Sequence, residues 1–261
     1  IIKKKILLCS NYAWTIYNFR LNLVSELKRQ GHSVSVLTKY DDYTDKITPY
    51  FDQTYNLRIN LKGKNLFQEI ITFYNILFII LKTKPDYLLT FTIKPNLYGG
   101  ILSLFTNVKI IQNVTGFGTL HSQEGIIENI TKKLYRFSTI LSHKVFFQNR
   151  EDCNVFVSAN KKKPVNYSLI PGSGVDLSKF RPNFNANNFD YSDNNCYKYL
   201  FFGRLLWEKG VGEFLDTAKY FHLNRIAANF LILGFLDVDN PSALKKEDIT
   251  AAVNDGYVKY L

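Results

Sequence analysis

The chain has no methionine, two tryptophans, three cysteines and only 22 acidic residues against 33 lysines and arginines among 261. Each shortage excludes a class of protein. Cys9, Cys153 and Cys196 are odd in number, far apart and without metal-ligand spacing, which excludes a disulfide scaffold and fits reduced structural thiols in a cytoplasm. His32, His121, His143 and His222 form no metal pattern either. After the first apolar segment stands Ser10-Asn-Tyr-Ala-Trp-Thr-Ile-Tyr-Asn-Phe-Arg20 rather than G-x-G-x-x-G, which argues against a nicotinamide dinucleotide site. Only about four apolar residues follow Lys3-Lys-Lys5, too few for the core of a secretory signal. The greasiest run, Leu66 to Leu81, is interrupted by Gln68, Glu69, Thr72 and Asn75 and falls short of the roughly 20 residues required to span a bilayer. It reads first as a core helix and second as an interfacial one, bracketed by Lys62, Lys64, Lys82 and Lys84.

What is present is a globular α/β pattern. With 46% hydrophobic residues the chain can bury a sizeable core, and a formal charge of +11 with a pI near 9.4 favours an anionic partner. Ile6 to Cys9 reads as a strand, Phe19 to Arg29 as a helix ended by Gly31, and Val34 to Leu37 as a returning strand. The rhythm repeats: helix from Leu66, strand Tyr87 to Phe91, helix Asn96 to Phe105, strand Ile110 to Val114, helix Ile126 to Leu141, strand Val145 to Gln148. Such alternation predicts parallel sheets covered by helices. Asn183 to Asn195 is rich in Asn and Asp with no apolar period. The expected organisation is therefore a first Rossmann-like domain over 1–182, a linker over 183–196 and a second Rossmann-like unit over 197–261. The second unit would hold only about two strands, and the absent methionine meets a chain that opens on a strand, so both ends are expected to be incomplete.

The most informative stretch is Phe201-Phe-Gly-Arg-Leu-Leu-Trp-Glu-Lys-Gly210. A short aromatic strand is broken at Gly203 and a helix follows from Val211, so Arg204 and Lys209 flank a strand-to-helix loop. Helix starts at the carboxyl ends of parallel strands offer free amides and partial positive charge, and an anion there would meet both cations. The plain alternative is a pair of solvated charges sharing Glu208.

Gly203 to Gly210 resembles the donor-diphosphate motif of glycosyltransferase family 4, whose members have the two-domain GT-B fold. The resemblance extends to Phe147-Gln-Asn-Arg-Glu-Asp152, Ile170-Pro-Gly-Ser-Gly-Val-Asp-Leu-Ser-Lys-Phe180 and Asn240-Pro-Ser-Ala243, in the same order along nearly the whole chain. Phe91-Thr-Ile-Lys-Pro-Asn-Leu-Tyr-Gly99 and Asn113-Val-Thr-Gly-Phe-Gly118 are similar to bacterial members that extend sugars on polyprenyl diphosphates or related surface glycans. This resemblance implies a hexosyltransferase that moves a sugar from a nucleotide-sugar, UDP-linked, to a lipid-linked or glycan acceptor with retention of configuration. It implies Arg204 and Lys209 as the catalytic cations, with Gly203, Gly210 and Gly174 also at the donor.

On the acceptor side the resemblance points to Arg20, Lys94, Gly116, Gly118 and His121. Arg20 opens the first helix, where the helix dipole disfavours a cation, so an anionic partner would explain it; a surface arginine is the alternative. Lys94 is expected in a loop, with Pro95 as the first helical residue. Glycines at a strand end permit close ligand approach or simply a tight turn. Asp176 reads as a turn residue bonding its own backbone at Ser178. With two cations on the leaving diphosphate no metal cofactor is required, and Asp237-Val-Asp239 lies too late in the second unit to serve as a metal-binding Asp-x-Asp. The family's further donor glutamates would fall beyond Leu261, so the 261 residues alone are expected to be inactive.

The cytoplasmic face of a membrane suits this reading, and nucleic acid does not, because the basic residues are dispersed rather than interleaved with aromatics. Two rivals remain: a sugar-nucleotide 2-epimerase of the same architecture, and a non-enzymatic basic binding module.

Overall fold

A computed structural model of the chain describes residues 2–60, 65–116, 125–159, 166–181, 196–236 and 242–261. It divides into two compact units, Ile1–Arg181 and Pro182–Leu261.

The first unit is built on seven parallel strands: β1 (Lys5–Tyr12), β2 (Ser33–Lys39), β3 (Thr54–Asn56), β4 (Tyr87–Phe91), β5 (Lys109–Val114), β6 (Lys144–Phe147) and β7 (Tyr167–Leu169), ordered β3-β2-β1-β4-β5-β6-β7. The central strand β1 must bury both faces, which is why its sequence is apolar without alternation. Ile6 and Leu8 join one core with Val34, Val36 and Phe91, while Leu7 and Cys9 join another with Leu37, Leu57 and Leu88. Right-handed crossovers put helices on opposite faces when the direction of travel along the sheet reverses. Thus α1 (Ala13–Phe19) and α2 (Leu21–Arg29), between β1 and β2, cover the first core. On the other face lie α4 (Leu66–Thr83), α5 (Ile93–Leu102), α6 (Ile126–Leu141) and α7 (Arg150–Ala159). A short helix α3 (Thr44–Ile47) precedes β3. Strand order reverses between β1 and β4, so the segments leaving their carboxyl ends diverge and open a crevice there.

Helix α5 is held very close to α6. A Cβ on Gly100 would lie 2.2 Å from Ser138 Oγ, so only glycine fits. In that contact Gln112 Nε2 donates to Ser138 Oγ (2.7 Å), Ser138 Oγ donates to the Asn96 carbonyl (2.8 Å), and Asn96 Nδ2 donates to the Tyr135 hydroxyl (2.8 Å). Burial, foremost, pushes the Tyr135 phenol pKa up, so it stays protonated through this network.

The second unit has parallel strands β8 (Tyr197–Phe202), β9 (Ala228–Leu233) and β10 (Lys259–Tyr260) in the order β10-β9-β8, with α8 (Val211–Leu223) and α9 (Lys246–Asn254). Its core is aliphatic around Phe230, with Leu205, Val211, Ile232 and Ile249 buried, and an aromatic cluster flanks it in which Tyr199 stacks on Phe230 at 4.9 Å and Phe214 meets the same ring at 5.3 Å.

Three local expectations need correction. The helix expected over 19–29 is α2, which begins at Leu21; a further helix, α1, precedes it where none was expected, so Arg20 stands between two helices rather than opening the first. Helix α5 begins at Ile93, so Pro95 is its third residue and Lys94 is helical rather than in a loop. Finally, α4 is not a fully buried core helix: only Thr72, Ile76, Ile79 and Ile80 are buried, and its outward side stays apolar and exposed.

Candidate functional site

Each unit contributes its own set of candidate residues. In the second unit β8 delivers the chain to Gly203, and residues 204–206 form an irregular segment before a 3-10 turn at Trp207–Lys209. Leu205 and Leu206 are buried and anchor the segment, leaving Arg204 and Lys209 outside. The segment is tied to residues 242–244: Trp207 N donates to the Ser242 carbonyl at 2.9 Å and Leu244 N to the Leu205 carbonyl at 2.8 Å. Gly210 adopts φ 78°, a left-handed turn that favours glycine, and hands the chain to α8. Trp207 lies flat against the first turn of α8, where a Cβ on Gly212 would come within 2.6 Å of its ring. The loop is therefore anchored at both ends and in its middle.

Among the described residues, the side chains of Arg204 and Lys209 have no hydrogen-bond or ion-pair partner. They share a loop with the first-turn amides of α8, which an α-helix leaves without internal acceptors. Glu213 also stands in that first turn. The arrangement offers two cations and a helix start to a single anion.

In the first unit, Arg20 stands between α1 and α2 at the carboxyl side of β1. It is only 8% exposed, its guanidinium carbon is 4.4 Å from the centre of the Phe91 ring, and its hydrogen bond is a long one to the Phe19 carbonyl at 3.5 Å. Among the described residues no carboxylate pairs with it. Burial pulls its pKa down to about 10. A buried guanidinium without a counter-ion is costly unless something anionic completes it. Nearby on the chain, Ser10 and Thr15 share a 2.7 Å hydrogen bond, and Asn11 Oδ1 is buried and accepts no hydrogen bond.

Thr92, which links β4 to α5, adopts φ 73°, unusual for a β-branched residue. It swings the chain so that Lys94 faces α4. The Lys94 ammonium donates to the Asn60 carbonyl at 2.6 Å and forms an ion pair with Glu69, whose other oxygen accepts from the Tyr98 hydroxyl. The lysine charge is thus matched inside the protein, a partner invisible in the sequence because 25 residues separate the pair.

Gly116 follows β5 with φ 136° and lies near Asp152, whose buried carboxylate accepts from Asn149 Nδ2 at 2.6 Å. Gly118 and His121 lie outside the described residues, as do Lys62, Lys64 and the Asp237-Val-Asp239 segment. Gly174 has φ 77° on an exposed turn. Asp176 Oδ1 accepts from Ser178 N at 2.9 Å and Ser178 Oγ at 2.6 Å; this turn holds the carboxyl below its usual pKa range. Sequence reasoning did not find Gln148, which donates to Asn113 Oδ1 at 3.2 Å and Ser173 Oγ at 3.0 Å and so ties the glycine turn to the end of β5. Among the described residues no group of three or more His, Cys, Asp and Glu side chains is placed to hold a metal.

Three comparisons bear on these groups. A protein from Campylobacter jejuni, N,N'-diacetylbacillosaminyl-diphospho-undecaprenol alpha-1,3-N-acetylgalactosaminyltransferase, is 24% identical over 258 residues, 95% of this chain; the chain spans 66% of that relative's length. Sucrose-phosphate synthase from Thermosynechococcus elongatus superposes with a TM-score of 0.73 at 16% identity, covering 99% of this chain and 70% of that one. Anabaena HepE, solved with UDP and glucose, gives a TM-score of 0.66 at 14% identity over 99% of this chain and 69% of its own. These structural likenesses show the fold alone, an α/β fold of the GT-B type. The model of the glycosyl transferase 4-like family matches residues 5–149, which comprise the strands and helices around Arg20 and Lys94, and on that match the chain belongs to this family.

Proposed function

We propose that the protein transfers a sugar from a nucleoside-diphosphate sugar, UDP-linked, to a polyprenyl-diphosphate-linked acceptor, with retention of configuration. The observation that carries the proposal is the anchored loop at Gly203 to Gly210, which presents at a helix start two cationic side chains that have no partner among the described residues. Breaking the bond between sugar and nucleotide places charge on the leaving diphosphate. Cations already fixed in place lower that barrier because they need not reorganise as the charge develops. Arg204 and Lys209 take this role, with Gly203 and Gly210 allowing close backbone approach. Charge compensation by two side chains leaves no step that needs a divalent metal.

Arg20 is assigned to the acceptor diphosphate, because a phosphate group would supply the counter-ion that its buried guanidinium lacks. Lys94, already matched by Glu69, sets the shape and the net charge of the same edge. Gly116, Gly118 and His121 are placed at the acceptor in this proposal. The Campylobacter relative's acceptor, a diphospho-undecaprenol, supports this choice of substrate class.

The test is transfer itself, with the full-length protein incubated with UDP-sugars and a short-chain prenyl-diphosphate sugar and products identified by mass spectrometry. The proposal expects a sugar added to the lipid-linked acceptor, with chelator leaving the rate unchanged. A sugar that exchanges hydrogen at its second carbon while staying on the nucleotide would replace the proposal with the epimerase reading. Oligonucleotide binding without any turnover would replace it with a basic binding module.

A further inference from the structure

Helix α4 is apolar on two sides, with Gln68, Asn75 and Lys82 between them, yet the protein covers only one of the two. Successive residues turn by about 100°, so Thr72, Ile76, Ile79 and Ile80 share the side that packs on the sheet. The opposite arc, roughly 140° wide by the same geometry, carries Leu66, Phe67, Ile70, Ile71, Tyr74, Phe78 and Leu81 and not one charge. All seven are exposed, Phe67 at 69% and Tyr74 and Phe78 at 62% each. Apolar helix surface is expected in a core or in contact with lipid. Here the core accounts for half of it.

The stripe does not stop at the end of the helix. Leu81 borders an open groove of about 770 Å³, rimmed by Leu104 and Phe105 after α5 and by Lys4, Lys84 and Lys109. Asp86, ion-paired with Lys4 at 3.7 Å, is the acid there, so the groove keeps a positive balance beside its apolar rim. Lys82, exposed at the edge of the stripe, adds a further cation. At its other end the stripe reaches the edge of the sheet where Glu69 of α4 meets Lys94 of α5, the edge that also holds Arg20.

We infer that α4 docks the protein on an anionic phospholipid bilayer, lying in the interface with its aromatic stripe among the acyl chains and Lys82, Lys84 and Lys109 at the headgroups. Charge complementarity selects this occupant. The exposed stripe has no charge of its own to satisfy a polar partner, while the lysines around its lower end match acidic headgroups. An 18-residue helix packed along one side on a sheet lies on a bilayer rather than crossing it. The inference deepens the proposed function and rests on its lipid-linked acceptor, whose diphosphate would lie at the surface that α4 touches.

Co-sedimentation of the purified chain with phosphatidylcholine vesicles, with and without phosphatidylglycerol, tests it without any sugar donor. The protein is expected to bind the anionic vesicles and to be released by salt. Phe67→Ser, Tyr74→Ser and Phe78→Ser combined should weaken binding by roughly tenfold or more, since the three exposed rings supply about half of the stripe's apolar area. Circular dichroism should be unchanged, because none of the three is in the core. Lys84→Glu with Lys109→Glu should abolish the preference for phosphatidylglycerol. A Phe78→Trp variant should be quenched by brominated acyl chains above the background of Trp14 and Trp207. Failure of the wild type to bind anionic vesicles, unchanged binding by the triple variant, or no quenching of the Phe78→Trp variant beyond that background would each overturn the inference. A wild-type dimer that the triple variant splits, with no vesicle binding, would overturn it in favour of a second copy on this face. Since sedimentation needs no turnover, a protein that glycosylates a water-soluble acceptor yet ignores vesicles would sink the docking surface and leave the proposed function standing.

Discussion

Replacing Arg20 with methionine is expected to stabilise the ligand-free protein while removing its response to prenyl diphosphates. Burial lowers the guanidinium pKa from 12.5 to about 10. At about 1.4 kcal/mol per unit, that is a penalty of roughly 3 kcal/mol on the charged form. The sign follows from the direction. A cation whose folded pKa lies below its unfolded value destabilises the fold wherever it is charged, hence throughout the pH range below about 10. Against this stands the contact with Phe91 at 4.4 Å, worth about 1–2 kcal/mol and lost in the variant. Methionine keeps much of the apolar stem, so the net gain is about 1–2 kcal/mol, a rise in Tm of about 2–6 °C.

A diphosphate that pairs with Arg20 stabilises only the wild type, by about 2.7 kcal/mol at a hundred times its Kd. The order of stability should therefore reverse on adding a short prenyl diphosphate, read by thermal denaturation of both proteins with and without it. A variant that loses stability without ligand, or gains as much from ligand as the wild type, would refute the reasoning and make the arginine a structural residue.

Four further outcomes follow from the same geometry. Gly100→Ala puts a Cβ 2.2 Å from Ser138 Oγ and should destabilise by about 2–4 kcal/mol in urea titrations, since α5 must move off α6. Gly210→Ala forces a left-handed φ of 78° on alanine; it should cost about 1 kcal/mol and weaken nucleotide binding while the helical circular dichroism persists. Lys94→Met strands the half-buried Glu69 carboxylate and should cost about 2 kcal/mol, most of it regained with Glu69→Gln, which a double-mutant cycle will read. Burial pushes the Asp52 carboxyl up, but hydrogen bonds from Ser33, Lys28 and Val34 win and hold it below its usual value. Its contribution is present above the ordinary aspartate range and lost as pH falls through the lowered value, so Asp52→Asn should flatten the acid limb of the stability profile.

The sheet was legible because burial on both faces forces the continuous apolar runs seen at Ile6 to Cys9 and Tyr87 to Phe91, and their shortness and flanking breakers, not the runs alone, set them apart from an apolar helix such as α4. Short β3 and β7 escaped, since three residues carry too little period to register. Helix α1 was also hidden, because among its seven residues only Ala13 and Ile16 are buried, too few to show a period, and with it went the placement of Arg20 between two helices. The loop from Gly203 to Gly210 could be read from glycine punctuation and two cations. The ion pair of Lys94 could not, since it joins α4 to α5 across the sheet face. Helix α4 was ambiguous for a physical reason: a helix apolar on both sides has little amphipathic signature, so the pattern cannot say which side the protein leaves uncovered.

The central claim is that the loop at Arg204 and Lys209 grips a nucleoside diphosphate, and calorimetric titration of UDP into wild type, Arg204→Ala and Lys209→Ala tests it most directly. Each lost charge-assisted contact should cost about 1.5–3 kcal/mol, a weakening of roughly tenfold to a hundredfold in Kd for either variant. UDP bound with equal affinity by all three proteins would contradict the account.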